Sequence, residues 1–178
     1  IELEGTYPLP EAQLDRFLFK VEVPVIGADV LTSIITERRR GQPPELTQVL
    51  DADGLHELFD LVDKVFLPKP VAQYIGRLTE ASHGTGPSAS KEIRSHVKYG
   101  ASPRAAISMG EAGRVCALLA GRPNVDFKDV AKVAVPALAH RLVLKHTARL
   151  EGISQADIVR RLLEETEEIG EALPGELS

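Results

Sequence analysis

The stretch "SPRAAISMGEAGRVCALLAGRP", residues 102–123, carries the clearest helix signals in the sequence. Ser102 stands where a helix N-cap is expected, and Pro103 follows at the first helical position, where its missing N–H removes no hydrogen bond. Gly121 stands just past the end, where glycine readily adopts the backbone conformation that terminates helices. The segment therefore predicts one well-bounded helix and favours a helical fold around it.

Similar signals predict further helices on both sides of this one. Three predicted helices precede this one: two begin at acidic residues, and the third follows a pair of prolines. Two more predicted helices come after residue 123. Their expected starts are Asp29, Asp53, Pro70, Asp126 and Ser154. Pro136 should kink or divide the helix that Asp126 opens, because proline lacks a backbone donor. The fold class expected for residues 27 to about 170 is thus a mainly α-helical bundle.

The segment between the third helix and residue 102 has a different composition. Residues 82–100, "SHGTGPSASKEIRSHVKYG", are rich in Ser, Gly and basic residues, which predicts an exposed loop. Its stretch "GTGPSASK" is not a phosphate-binding loop, because no Gly precedes Lys91 and no Ser or Thr follows it.

The N-terminal part follows a separate pattern. "EAQLDRF", residues 11–17, can form a short helix. The alternation of apolar residues from Phe17 to Val23 then predicts a strand. A strand needs a neighbour to satisfy its backbone, so the first 25 residues are expected to be incomplete as a folding unit.

Composition argues against several classes of function. The 178 residues have a net charge of −5 and only 4% aromatic side chains, so no broad basic field is available for nucleic acid. No apolar run approaches the roughly 20 residues needed to span a bilayer. A single Cys116 excludes an intrachain disulfide and fits a reducing, cytoplasmic compartment.

The usual catalytic side chains form no convincing constellation. The five histidines show no metal-ligand spacing with Cys116, so no metal site is predicted. Ser88 and Ser90 share a loop with His83 and Lys91, but nothing in the sequence orients them as nucleophile and base.

Two arginines have unusual placements. Arg16 stands between a helix end and the predicted strand, where rigid elements could hold its guanidinium toward a phosphate on another molecule. From the residues alone, an ordinary ion pair with Glu11 or Asp15, or a surface salt bridge, is the simpler interpretation. Arg104 is the second residue of its helix, where a cation opposes the helix dipole unless an anion is present. A phosphate would supply that anion, but solvent exposure or a pair with Glu111 or a distant carboxylate is the simpler interpretation.

Three segments together resemble the MoxR family of AAA+ ATPases, which are related to the magnesium chelatase ATPase subunit. They are "EGTYPLPEAQLDRFLFKVEVP" (4–24), "GASPRAAI" (100–107) and "VAVPALAHRLVLKHTARLEGIS" (133–154). The resemblance covers almost the whole chain. It implies that Arg16 in "LDRF" is an arginine finger, which reaches the nucleotide of a neighbouring subunit, and that Arg104 in "SPR" is the sensor 2 arginine. Asp15 would orient Arg16 or contact the adjacent subunit, or simply be a carboxylate at a helix end.

The resemblance also implies a domain organisation. Residues 1–26 would be the C-terminal remnant of an αβα ATPase core, with the arginine-finger helix and one strand. Residues 27–178 would be a helical lid domain that carries sensor 2. The phosphate loop, the magnesium-holding acidic strand and sensor 1 of such ATPases would lie before this chain begins. We therefore expect no ATP hydrolysis and no tight binding of ATP or Mg²⁺ by the chain alone.

For the intact parent, the resemblance implies a homo-oligomeric ring, expected to be a hexamer. It would use ATP and Mg²⁺ to remodel or assemble a protein client, for instance in metal-cofactor insertion. Two other functions remain open: a non-enzymatic helical module that docks a partner through one helix face, and a helix-turn-helix that binds nucleic acid. The negative net charge disfavours the second of these.

Overall fold

The computed structural model describes residues 9–37 and 45–169, and this part is mainly helical as predicted. Its helices are α1 (Glu11–Leu14), α2 (Ala28–Glu37), α3 (Ala52–Lys64), α4 (Lys69–Ala81), α5 (Lys91–His96), α6 (Pro103–Leu119), α7 (Phe127–Leu138), α8 (His146–Leu150) and α9 (Gln155–Glu165). A 3₁₀ turn, Ala139–Arg141, follows α7, and two short strands, β1 (Val97–Tyr99) and β2 (Val143–Leu144), pair antiparallel.

The hydrophobic core lies among α4, α6, α7 and α9. Helix α6 packs along α7, and α4 contacts α6, α7 and α9. Gly113 on α6 permits close approach of the segment that leads into α7: a Cβ on Gly113 would lie 3.0 Å from a methyl group of Val125. Large side chains fill the remaining space, since Leu78, Met109 and Leu138 are completely buried. These four helices form the bundle that supports the rest of the chain.

Several predicted helix ends are confirmed. The Ser102 hydroxyl accepts a hydrogen bond from the N–H of Arg104, and Pro103 is the first residue of α6. Gly121 has a positive φ of 69°, which glycine adopts without steric cost. Asp126 and Ser154 cap α7 and α9, each within a reciprocal capping box.

Other ends differ from the sequence interpretation. Asp51, rather than Asp53, caps α3 by accepting from the N–H of Gly54. Asp29 lies inside the first turn of α2, and Pro136 lies inside α7 without dividing it. Residues 38–41, a run of three arginines followed by glycine, lie outside the described residues.

The prediction of a loop over residues 82–100 is wrong in its second half. Ser90 caps α5 by accepting from the N–H of Ile93, and Ile93 is buried in the core. Strand β1 follows directly and pairs with β2. The polar composition concealed α5 because only one short apolar face of it is buried.

The predicted strand from Phe17 to Val23 is not formed in the described part of the chain. Among the residues that the structure describes, no strand pairs with this segment, so its backbone joins no strand ladder there. The Lys20 N–H instead donates to the Pro136 carbonyl at 3.0 Å, which is available because the helix ends at Leu138. The segment is thus an extended peptide held against the end of α7.

Candidate functional site

The two arginines singled out in the sequence lie at one junction, where the end of α1 meets the start of α6 and the 3₁₀ turn. Asp15 ends α1, and its carboxylate contacts side chains from the start of α6 and from the 3₁₀ turn. We call Asp15, Ser102, Arg104 and Arg141 the Asp15 cluster.

The Asp15 carboxylate accepts three interactions. The Ser102 hydroxyl donates to Oδ1 at 2.7 Å, and Arg104 Nη1 donates to Oδ2 at 3.1 Å. Arg141 Nε lies 3.3 Å from Oδ1. Burial alone would raise the pKa of Asp15, but the hydrogen bonds from Ser102 and Arg104 and the nearby positive charges hold that pKa below its usual value. Asp15 is therefore ionised at neutral pH.

Arg104 shows how the predicted conflict with the helix dipole is resolved. Its side chain remains 62% exposed, and its partner is the carboxylate of Asp15, a residue distant in sequence. Glu111, the other proposed partner, does not bind it among the described contacts. A carboxylate therefore sits at the N-terminus of α6, the position where an anion is favoured.

Arg16 is exposed, and its guanidinium lies 5.7 Å from the centre of the Phe17 ring. Within the described residues it forms no ion pair with Glu11 or Asp15. The interpretation of Arg16 as one half of a local salt bridge is thus not what the structure shows. Its neighbour Asp15 is bound instead by Arg104 and Arg141.

Arg141 is the residue of this site to which sequence reasoning assigned no role. Its side chain is 1% exposed and donates to the carbonyl oxygens of Phe17 at 2.7 Å and Asp15 at 3.1 Å. It also donates to the Ser108 hydroxyl at 3.0 Å and to the Ala137 carbonyl. Burial lowers the pKa of Arg141, and the charge of Asp15 opposes that shift. The available signal was the "HRL" segment, in which a charged residue directly follows an apolar helix.

His140 adds a second contact to the same peptide. Its Nε2 lies 3.1 Å from the Phe17 carbonyl oxygen. Burial lowers the pKa of His140, with a smaller opposing contribution from that hydrogen bond. A neutral imidazole with its proton on Nε2 fits this geometry.

An open groove of about 540 Å³ lies beside the junction, between residues 19–22 and the helices α7 and α9. Its lining is mainly apolar, with Lys20, Lys132 and Arg160 among the polar residues. No group of three His, Cys, Asp or Glu side chains close enough to hold a metal ion occurs in the described ranges. None of the helices described is both long and apolar enough to cross a membrane.

Comparison with known proteins gives the class. Residues 90–162, which run from the cap of α5 into α9, match the AAA lid domain family. A crystal structure of a candidate ATPase from Cytophaga hutchinsonii superposes with a TM-score of 0.87 at 29% identity, over 96% of this chain and 52% of the other. The part of the bundle that runs from α5 into α9 is therefore an AAA lid domain.

Curated relatives narrow the class to a family. Chaperone MoxR1 of Mycobacterium tuberculosis is 37% identical over 164 residues, covering 92% of this chain and 43% of the relative. Protein MoxR of Paracoccus denitrificans is 31% identical over 159 residues, covering 81% of this chain and 46% of the relative. The chain is thus a relative of the MoxR AAA+ ATPases, which confirms the resemblance. It spans about half the length of the relatives it matches.

Proposed function

We propose that this chain is the lid portion of an AAA+ ATPase that assembles into a ring and couples ATP hydrolysis to remodelling of a protein client. In this proposal residues 1–26 belong to the ATPase core and residues 27–178 to the lid. The observation that carries it is the Asp15 cluster, because it joins the "LDRF" and "SPR" motifs through Asp15 and Ser102, which are 87 residues apart in sequence.

Each arginine has a chemical role that its position supports. Arg16 is exposed and free of ion pairs in the described part of the chain, so its guanidinium is available to a phosphoryl group bound elsewhere. There it would stabilise charge that develops during phosphoryl transfer. The Arg104 side chain is largely exposed, so it could exchange its contact with the Asp15 carboxylate for one with a phosphate oxygen. The lid position would then depend on the nucleotide.

Both arginines adjoin Asp15, which favours their action on one composite site from the same subunit. Arg104 contacts Asp15 directly, and Asp15 is the residue before Arg16, so the two arginines are carried by neighbouring parts of the fold. An arginine finger acts on the nucleotide of a neighbour, so we infer that Arg104 also serves the neighbouring subunit's site. The sequence alone left open whether Arg104 acts on its own or the neighbouring nucleotide.

The residues at this junction suit the phosphates of ATP but not the Mg²⁺ ion. Arg16 and Arg104 suit the phosphate oxygens, whereas no acidic cluster of the described residues suits the cation. The phosphate loop and the magnesium ligands would come from other parts of a longer, cytoplasmic parent protein that forms a hexameric ring. The client protein, including the metal-cofactor-insertion type of client, is part of the same proposal.

The test uses the full-length gene product. Arg16→Ala should lower ATP turnover by about 10³-fold, since an arginine finger contributes on that scale, while ATP affinity of isolated subunits stays the same. Arg149→Ala is the matched control, because Arg149 is an exposed arginine on α8 whose side chain forms no ion pair with the Asp15 cluster in the described part of the chain. An Arg16→Ala ring that hydrolyses ATP at the unmodified rate would refute the assignment.

A second candidate function is a non-enzymatic module that binds a partner through a helix face. The apolar faces of α2 and α3 favour it, because neither helix has a buried residue. A full-length product without any phosphate-binding loop would support this alternative over the ATPase.

A further inference from the structure

One buried guanidinium holds the peptide on both sides of Arg16. Arg141 donates from Nε to the carbonyl oxygen of Asp15 and from Nη2 to that of Phe17. These are the residues immediately before and after Arg16. The Asp15 carbonyl lies in the peptide plane that leads into Arg16, and the Phe17 carbonyl lies in the plane that follows Phe17. The two hydrogen bonds therefore hold the backbone on both sides of Arg16 and restrict the directions in which its side chain can leave the backbone.

The same guanidinium is anchored to the bundle on its other side. It donates to the Ser108 hydroxyl on α6 and to the Ala137 carbonyl on α7. With 1% of its side chain exposed, Arg141 cannot change position without opening the core around it. The planar guanidinium supplies several donors in a fixed arrangement, which a lysine ammonium cannot reproduce.

We propose that Arg141 is a positioning residue for Arg16: it transmits the position of the lid helices to the backbone that carries the proposed arginine finger. The inference rests on the proposed function only for the role of Arg16. The positioning itself is a property of this chain and can be measured without nucleotide.

Asp15 extends the connection to Arg104. Its carboxylate lies between Arg141 and Arg104 and contacts both. A displacement of the start of α6 would therefore also shift the peptide segment that Arg141 binds. Arg16 and Arg104 are linked through two charged contacts rather than through the hydrophobic core.

Hydrogen exchange of the 178-residue chain tests the positioning. Two reporter amides lie in the held segment: the Phe17 N–H donates to Leu14 and the Lys20 N–H to Pro136. In Arg141→Lys both should exchange about tenfold faster, because the segment then opens without global unfolding. The amide of Ile158 in α9, a buried residue, should exchange at the unmodified rate.

Arg122→Lys is the matched control. Arg122 also binds a buried carboxylate, since its Nη2 donates to Asp129 at 2.5 Å, but its side chain forms no described hydrogen bond or ion pair with residues 11–20. It should leave the Phe17 and Lys20 amides unchanged. Equal exchange at these amides in wild type and Arg141→Lys would overturn the proposal. Equal acceleration at Ile158 would also overturn it, because Arg141 would then support the whole bundle.

Kinetics of the full-length protein test whether the effect reaches Arg16. Arg141→Lys should lower kcat by about 10²-fold, the scale expected when a reacting group is misplaced by about 1 Å, without a change in ATP affinity. The double variant Arg16→Ala/Arg141→Lys should be no slower than Arg16→Ala alone. Multiplied losses in the double variant would show that Arg141 acts independently of Arg16 and would contradict the proposal.

The two measurements separate failure of this inference from failure of the proposed function. If Arg16→Ala leaves turnover unchanged while Arg141→Lys still accelerates exchange at Phe17 and Lys20, the ATPase assignment fails and the positioning stands. If Arg16→Ala abolishes turnover while exchange is unaffected by Arg141→Lys, the ATPase assignment stands and the positioning fails.

Discussion

Two regions of this molecule carry equally clear amphipathic helices and use them differently. Helices α4, α6, α7 and α9 bury their apolar faces against one another, and their central residues have almost no solvent exposure. Helices α2 and α3 have comparable apolar faces but no buried residue, and Ile35 and Phe59 are 76% and 57% exposed. Hydrophobic periodicity thus predicts that a helix has a face to bury, but not which surface covers it.

The N-terminal peptide lies between these extremes. It contributes few apolar contacts to the core, and polar contacts from Arg141, His140 and Ser102 hold it on the bundle. Polar contacts of this kind add specificity of position more than stability. The proposed arginine finger is therefore placed by a small number of identifiable hydrogen bonds.

The largest expected effect separates the bundle from α3. Leu78 is fully buried on α4, whereas Leu58 on α3 is 42% exposed. Leu78→Ala should lower the free energy of unfolding by about 3 kcal/mol, through lost burial and a cavity. Leu58→Ala should change it by less than about 1 kcal/mol. Urea titrations followed by circular dichroism measure both, and equal losses would contradict the distinction between the regions.

The next effect concerns the polar contacts of the peptide. Asp15→Ala removes the carboxylate from three donors and leaves the buried Arg141 guanidinium without its counter-charge, so we expect a loss of about 2 kcal/mol. Asp29→Ala, at an exposed acidic residue on α2, is the control and should change stability by no more than about 0.5 kcal/mol. Thermal unfolding of the two variants provides the comparison.

Helix caps provide a sharper version of the same contrast. Ser154 and Asp51 both accept an N-terminal hydrogen bond, in α9 and α3 respectively. Ser154→Ala should cost about 1 kcal/mol of global stability, because α9 is part of the core. Asp51→Ala should leave the main unfolding transition in place and raise only the exchange rates of α3 amides. A global loss from Asp51→Ala would mean that α3 unfolds together with the bundle.

The smallest expected effect is a dependence on pH. The pKa of Asp15 is lowered in the folded chain, so its contribution to stability is fully present well above the ordinary aspartate pKa of about 3.9 and is lost as pH falls through the lowered value. The pKa of His140 is also lowered, so stability should begin to fall below about pH 6.5 as the unfolded chain takes up the proton.

Single variants show which residue causes the loss of stability in each of these two pH ranges. Asp15→Asn should flatten the acidic part of the profile, and His140→Gln the part near neutrality. Unfolding free energies measured from about pH 3 to about pH 8, at an ionic strength held constant so that screening does not vary, would show either effect. An unchanged slope in Asp15→Asn below about pH 4 would exclude Asp15 as a source of the acid sensitivity.

The sequence predicted the features that are encoded locally. Ser102, Asp126 and Ser154 are caps because a side-chain oxygen at those positions meets an unpaired N–H of its own helix. Gly121 ends α6 for an equally local reason. Helix α5 was missed because its single buried face spans only six residues within a polar segment.

Features that depend on distant contacts could not be predicted in the same way. The alternation from Phe17 to Val23 is typical of a strand, but pairing requires a second strand, which no local pattern supplies. Arg141 gains its role only because α7 brings it to the carbonyls beside Arg16. The motif resemblance identified both Arg16 and Arg104, whereas their connection through Asp15 follows from the fold.

The most direct test of the central claim is a subunit-mixing experiment on the full-length protein. Arg16→Ala and Arg104→Ala subunits are mixed one to one, and ATP turnover is compared with that of each variant ring alone. If one subunit supplies both arginines to the neighbouring nucleotide, every site in a mixed ring lacks either Arg16 or Arg104, because each subunit carries one of the two substitutions. We therefore predict no recovery of turnover. Recovery to about a quarter of the wild-type rate, the share of sites with both arginines intact if they came from different subunits, would contradict the account.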